Sequence, residues 1–344
     1  MENIIFSEII RNSQALLKKE LDLTPSYQSS MKMALNFFET KGLPSKKDED
    51  WLYTKVAPHL SSRFFENKDS IPHALPNSVI DKRAVIFLNN GIFNKELSVL
   101  PEGIELDSPR IQEQFFDAFD SLNFSTCLNP IALKIKKNTS LPYPVSIIHL
   151  VDDLGVNKII SPRLFITCQE NTKVSFVEIF DSTNNDLFQY TTNSVMQFNL
   201  LANAHIEHVK IQTEAKAATH IGLTTSTLAK GAHFQSVTVD LGLSLARHNI
   251  NLELREAAAE GAVHGLFTLK KNEHTDIFST ITHFADHTYS DQLFKGILAG
   301  ESHGIFTGKI IIKQDAQQST SSQLNKNLIL SKKARIDTRP QLLV

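Results

Sequence analysis

From about Pro130 to the end of the chain, apolar and polar residues alternate with a period of two, the spacing that puts alternate side chains on one face of a β-strand. Val237, Val239, Leu241 and Leu243 alternate with Thr238, Asp240 and Gly242. Ile250, Leu252 and Leu254 alternate with Asn251 and Glu253, and Val263, Phe267 and Leu269 follow. The phase markers Val237, Ile250, Val263 and Ile277 stand 13, 13 and 14 residues apart, with no long helix between them. Such spacing allows an antiparallel sandwich or a solenoid whose coils each hold more than one strand. Two-residue hairpin turns are scarce, and the linkers pair a small residue with glycine, as in Lys230-Gly231-Ala232, Glu260-Gly261-Ala262 and Ala299-Gly300-Glu301. A β-helix fits better, because stacked coils bury one continuous apolar interior and turn polar residues outward.

The amino-terminal part follows a helical period. Ile5, Ile9 and Leu16 share one face, and Met31, Ala34, Leu35 and Phe38 fall at i, i+3, i+4 and i+7. Thr24 and Pro25 suit the N-cap and first position of the second helix, and Gly42 suits its carboxyl cap. The acidic Asp48-Glu49-Asp50 reads as a solvated turn, with Trp51 and Tyr53 packing a helical lid. Ala84 to Leu88 is a strand ending in Asn89-Asn90-Gly91, a strong turn signal. Ile111, Phe115, Phe119 and Leu122 give one more helical stripe, stopped before Asn129-Pro130. The chain thus divides into a helical domain at 1–60, a mixed α/β connecting region at 61–129 and a β-helix core at 130–344.

Lys plus Arg number 35 against 37 for Asp plus Glu, so no global positive field exists to hold nucleic acid or an anionic membrane. No run approaches the roughly 18 apolar residues of a spanning helix, and Met1 to Arg11 lacks the pattern of a signal peptide, so a cytoplasmic protein is expected. Two cysteines, Cys127 and Cys168, exclude a disulfide framework and every Cys-rich metal signature. Cys168 alternates with Leu164 and Ile166 and reads as a buried apolar residue. Cys127 lies just past the helical stripe, where a partly exposed thiolate fits.

Enzyme signatures fail in turn. Gly304-Ile305-Phe306-Thr307-Gly308-Lys309-Ile310 has three residues between its glycines where a phosphate loop needs four, and Ile310 where the magnesium hydroxyl should be. His283-Phe284-Ala285-Asp286-His287 looks like an inverted zinc-protease motif, but Asp286 replaces its glutamate and Thr280-Ile281-Thr282 favours strand. The pair His283 and His287 could still share a face. Ten of the thirteen histidines lie between His205 and His303. His205 and His208 point to opposite faces of a regular strand, so hydrogen-bonded histidines on a polar β face are favoured over a metal cluster.

The carboxyl half carries a series of motifs in order. They are Ser290-Asp291-Gln292-Leu293-Phe294-Lys295-Gly296-Ile297-Leu298, Phe306-Thr307-Gly308-Lys309-Ile310, Asp315-Ala316-Gln317-Gln318-Ser319, Gln323-Leu324-Asn325-Lys326-Asn327-Leu328-Ile329-Leu330-Ser331 and Asp337-Thr338-Arg339-Pro340-Gln341-Leu342. Together they resemble the SufB/SufD family of iron-sulfur cluster assembly proteins. Asp50-Trp51-Leu52-Tyr53-Thr54, Asn90-Gly91 and Leu241-Gly242-Leu243-Ser244-Leu245-Ala246-Arg247-His248-Asn249 resemble its SufD branch. The resemblance covers nearly the whole chain.

It implies a right-handed parallel β-helix behind an amino-terminal helical domain, and a non-ATPase scaffold subunit of a SufB, SufC and SufD complex. Such a subunit pairs with a SufB-like paralogue and supports cluster assembly and iron acquisition, while SufC is the ATPase. The sequence stops at Val344, where the family continues into a cysteine and histidine motif and SufC-docking helices, so the carboxyl-terminal helical domain is expected to be absent and no such residues are carried over. The expected partner interface holds Lys309, Gln323, Asn325, Asn327, Asp337 and Arg339, with no catalytic residue. No cofactor is expected on this chain alone. With two cysteines, it can at most share an iron-sulfur cluster at the interface with SufB, and alone it is expected to form a homodimer. Two other classes fit the fold: a structural solenoid without an iron-sulfur role, and a β-helix polysaccharide lyase using Asp276, Asp286, Asp291 and Arg247.

Overall fold

The computed structural model describes residues 2–19, 23–66, 81–183 and 188–344. In chain order its elements are α1 (Glu2–Leu16), α2 (Pro25–Lys41), β1 (Arg63–Phe64), β2 (Val85–Asn89), β3 (Ile92–Phe93), β4 (Ile104–Asp107), α3 (Ala118–Thr126), β5 (Ile131–Ile135), β6 (Val145–Val151), β7 (Lys158–Ile160), β8 (Arg163–Cys168) and β9 (Lys173–Ser182). There follow β10 (Thr191–Leu200), β11 (His205–Gln212), β12 (Thr219–Leu228), β13 (His233–Asp240), β14 (Leu245–Leu254), β15 (Glu260–Leu269), β16 (His274–His283), β17 (Tyr289–Leu298), β18 (His303–Ile312), β19 (Thr320–Ile329) and β20 (Arg335–Leu343). The fold is mainly β, a parallel β-solenoid of about seven turns. Its even-numbered strands from β8 to β20 form one wall, sheet A, and its odd-numbered strands from β9 to β19 the other, sheet B. Each coil therefore holds two strands, and the steps of 13 and 14 residues in the sequence are half turns. Val237 and Val263 lie in sheet B, Ile250 and Ile277 in sheet A.

Parallel strands in register stack like on like, so corners repeat as well as walls. Asn138, Asn171 and Asn203 occupy equivalent corners with φ of 62°, 57° and 57°, a left-handed conformation that asparagine tolerates better than most residues. Their side chains form a ladder, Asn171 donating to Asn138 at 3.0 Å and Asn203 to Asn171 at 3.2 Å. Gly231 takes the next corner with φ of 63°.

The expected caps of the second helix and the Asn90-Gly91 turn are present. Thr24 caps α2 by accepting from the Tyr27 N–H, Pro25 opens the helix, and Gly42 closes it with φ of 73°. Asn90 and Gly91, both with positive φ, make the turn of the β2–β3 hairpin. Ile9, Leu35, Phe38, Trp51, Phe119 and Leu122 pack against Ile159, Ile221 and Leu245, so the helical layer covers the outer face of sheet A.

Three expectations need correction. The stripe from Ile111 to Leu122 is not one helix: α3 starts at Ala118 because Asp117 caps it, accepting from the Asp120 N–H at 2.8 Å, and Ile111 is exposed. Val237 and Val239 do not face inward. In β13 the lumen takes Phe234, Ser236, Thr238 and Asp240, so the interior is polar along part of its length. His283 and His287 do not share a face, since His283 is buried at the end of β16 while His287 sits exposed in the following turn with φ of 53°.

Candidate functional site

The lumen is apolar on one side, where Met196, Phe198, Leu200, Leu252, Leu254, Phe267 and Phe294 meet. On the other it holds a chain of ionisable groups with almost no access to water. Strands that alternate strictly place every second residue inside, and in β9, β11 and β12 those places fall to Glu178, His208, Lys210 and His220. Buried charges persist only when they are paired and hydrogen-bonded. Glu178 accepts from His149 Nε2–H at 3.0 Å and from His208 Nε2–H at 3.1 Å, and His208 Nδ1 meets the Ser236 hydroxyl at 3.3 Å. Burial alone would raise the Glu178 pKa, but these two imidazoles hold it well below the usual carboxylate value.

A second chain lies beside the first. His220 donates from Nδ1 to Glu214 at 2.7 Å, Thr192 donates to the other oxygen of Glu214 at 2.6 Å, and the Lys210 ammonium lies 2.9 Å from His220 Nε2. Phe180 joins the two, stacked on the His149 ring at 4.1 Å, edge-on to His220 at 4.7 Å and 5.0 Å beneath the Lys210 ammonium. Burial and the adjacent Lys210 charge lower the His220 pKa, so the ring is neutral and its Nε2 can accept from the ammonium. Replacing Lys210 by methionine is expected to raise the His220 pKa toward its ordinary value, because Glu214 then acts on the ring without the opposing cation. NMR titration of the imidazole checks this, and an unmoved His220 would show that Lys210 does not control it.

A different cluster fastens the amino-terminal segment to sheet A. The 3-10 turn Glu49–Trp51 lays Trp51 under the Arg247 guanidinium at 4.5 Å. Arg247 donates to Asp276 at 2.5 Å, to the Asp50 carbonyl at 2.9 Å and to Asn249 at 2.8 Å. Thr54 donates to Asp276 and lies 3.0 Å from His274, whose pKa burial lowers to about 4. Asn249 in turn donates to Asp117, whose carboxyl burial pushes up to about 6. Trp51 and Tyr53 thus pack a strap, as the sequence indicates, though Asp50 contributes its backbone to the clasp.

The six residues expected at a partner interface separate into two sets. Gln323, Asn325 and Asn327 alternate inward along β19, at the end of sheet B. Lys309, Asp337 and Arg339 lie on the outer face of sheet A. There Asp337 accepts from His303 at 2.7 Å, Arg339 bonds the Glu49 carbonyl and carboxylate at 2.8 and 2.5 Å, and the Lys309 ammonium stands 5.7 Å over Phe278. Around them β19, the residue that follows it and β20 leave Leu324, Leu328, Ile329, Leu330, Leu342 and Leu343 exposed.

Cys168 is buried in the apolar interior, as expected. Cys127 is not exposed: it ends α3 fully covered, and burial raises its pKa to about 11. The lyase residues do not converge, for Arg247 and Asp276 are buried under the strap while Asp291 faces outward on sheet B and bonds His264 at 2.8 Å. Sequence reasoning missed the lumen groups. Their signal was available in the odd and even positions of β11, where His208, Lys210 and Gln212 share the face of Ile206.

Fold and site together define a parallel β-solenoid whose buried ionisable groups pair with one another across neighbouring coils. The sequence profile described as "SUF system FeS cluster assembly, SufBD core domain" matches residues 151–344, and the chain belongs to that family of iron-sulfur cluster assembly proteins. It is 28% identical over 333 residues to an iron-sulfur cluster assembly SufBD family protein of Synechocystis, covering 88% of this chain and 73% of that protein. It is 25% identical to the iron-sulfur cluster assembly protein SufD of Escherichia coli over 313 residues, again 88% of this chain and 73% of the relative. Against the chloroplastic protein ABCI7 of Arabidopsis thaliana the identity is 25%, over 88% of this chain and 68% of the relative. No helix among the described residues is long and apolar enough to cross a membrane.

Proposed function

We propose that this chain is a SufD-like, non-catalytic scaffold subunit, working in the cytoplasm with a SufB-like sister and a SufC-like ATPase in cluster assembly and iron acquisition. The family match along the solenoid carries this reading. Pairing with the sister uses the rung formed by β19 and β20, where exposed leucines stand beside the amide side chains of Gln323, Asn325 and Asn327. The cluster under assembly is shared at that join. Both cysteines of this chain are buried with raised pKa values, so the thiolate ligands come from the sister.

Affinity purification of the gene product from its own cells, with identification of its companions and an assay of iron and sulfide, tests this. Recovery of SufB-like and SufC-like proteins together with iron and sulfide supports the proposal. Purification without either companion sinks it. Alone, the chain is expected to form a dimer through the same rung, and replacing Leu324 and Leu328 by lysine should return it to a monomer on gel filtration.

A further inference from the structure

On the outer face of sheet B, the first positions of five neighbouring strands bring Lys173, His205, His233, Glu260 and Tyr289 side by side in register. With Glu207, two residues along β11 from His205, they line an open groove of about 290 Å3. The His205 and His233 rings are stacked, 4.3 Å between centroids and 13° from parallel. His233 Nδ1 lies 3.1 Å from the Glu260 carboxylate, and Glu207 accepts from Ser175 at 2.9 Å.

We propose that His205, His233 and Glu260 bind a first-row divalent transition metal ion. Two imidazoles and one carboxylate on one face, with the remaining positions open to a groove, make the donor set that suits ferrous, cobalt or zinc ions. It lacks the thiolates that favour Cu(I) and the all-oxygen shell that favours magnesium or calcium. Parallel strands in register hold the three side chains at the strand spacing of about 4.8 Å, so their backbones are fixed before the ion arrives. Among the described residues no three such donors already surround one point. The site closes by small rotations: the χ2 torsion of histidine is soft, all three side chains reach solvent, and the ion enters where Glu260 now meets the His233 ring. The two carboxylates Glu207 and Glu260 outnumber the single Lys173 ammonium along this groove and draw a divalent ion inward. The donors alone argue for the site, which does not depend on the assembly role proposed above.

The test is titration of the full chain with Co2+ and Zn2+ by calorimetry, and with Co2+ by its visible absorption. One equivalent is expected to bind in the micromolar range. His205→Ala and His233→Ala should each weaken binding by at least about tenfold, the scale of losing one donor of three. His264→Ala, elsewhere on the same sheet face, should leave it unchanged. Unfolding midpoints of the metal-free variants should match the parent, which separates a lost ligand from a lost fold. Absence of binding, or binding retained in the His205→Ala, His233→Ala double variant, overturns the proposal.

Discussion

Replacing Arg247 by alanine is expected to lower the unfolding free energy by about 3–5 kcal/mol, the usual cost of removing one partner of a buried ion pair. The guanidinium and Asp276 are 1% and 2% exposed, so the carboxylate left behind stays in a site from which water is excluded. Three other bonds go with it, because Arg247 also holds the Asp50 carbonyl, Asn249 and the face of Trp51. Trp51 is the only tryptophan, so its fluorescence reports on the strap alone. Urea unfolding should show the lowered midpoint, and the emission should shift to the red before the main transition as the strap detaches. The double variant Arg247→Met, Asp276→Asn should recover more than half of the loss, since it removes the stranded charge. A loss below about 1 kcal/mol in the single variant would place the clasp among surface ion pairs, which contribute little.

The solenoid was legible in the sequence because its strands carry a strict period of two and recur at nearly equal steps. The helical layer was legible because its caps are local chemistry: Thr24, Pro25 and Gly42 act on their own helix, whatever lies around it. The phase of each strand was not legible in the same way. Val237 and Val239 outrank Thr238 and Asp240 in hydrophobicity, yet the latter face inward. What decides is the stack: Thr238 and Asp240 lie in register with Lys210 and Gln212 on one side, and with Gly265 and Phe267 on the other. A polar residue can occupy the lumen when the neighbouring coil supplies its partner, and that partner lies some thirty positions away in sequence. His208 and Glu178 illustrate the separation, as do Arg247 and Asp276. The clasp was hidden for a further reason, since Asp50 and Thr54 belong to a segment whose acidic composition mimics a solvated turn.

The buried network and the clasp have different consequences for how the molecule meets acid. Lumen groups are locked by partners across coils, whereas His274 meets Thr54 of the strap and Asp117 ties the start of α3 to Asn249 of the wall. His220, His248 and His274 all have pKa values lowered by burial, the last to about 4. Below about pH 6.5 the unfolded chain takes up protons on these rings while the folded chain does not, so stability falls as pH falls through that window. Asp117 works in the opposite sense. Its carboxyl is raised to about 6, so between about pH 4 and 6 the folded chain binds the extra proton and gains stability on acidification. Asp181 and Asp240 act with Asp117, but His59 and His283 join the three histidines, so the histidines outnumber the carboxyls and the net expectation is a loss of a few kcal/mol between pH 7 and 4.5, at about 1.4 kcal/mol per unit of pKa difference.

Replacing Glu178 by leucine is expected to cost about 3 kcal/mol at pH 7, because the His149 and His208 N–H groups then lose their shared acceptor in a dry lumen and each such orphan costs about 1–3 kcal/mol. Leucine fills most of the glutamate volume, so the loss is one of hydrogen bonding rather than of packing. The same variant should behave differently in acid. The Glu178 carboxylate stays ionised in the fold well below its ordinary pKa, so in the parent its contribution vanishes as pH drops below about 4.5, and below that pH the unfolded chain is the one that binds the proton. The stability gap between parent and Glu178→Leu should therefore be full at neutral pH and shrink steadily from pH 4.5 downward. Adding His208→Leu should restore part of the loss, since that removes one of the two orphaned donors together with its partner. Urea unfolding curves at a series of pH values measure all three effects. A gap that stays constant down to pH 3 would mean that Glu178 acts by shape and not by charge, and the polar lumen would then be an accident of packing rather than the element that holds neighbouring coils in register.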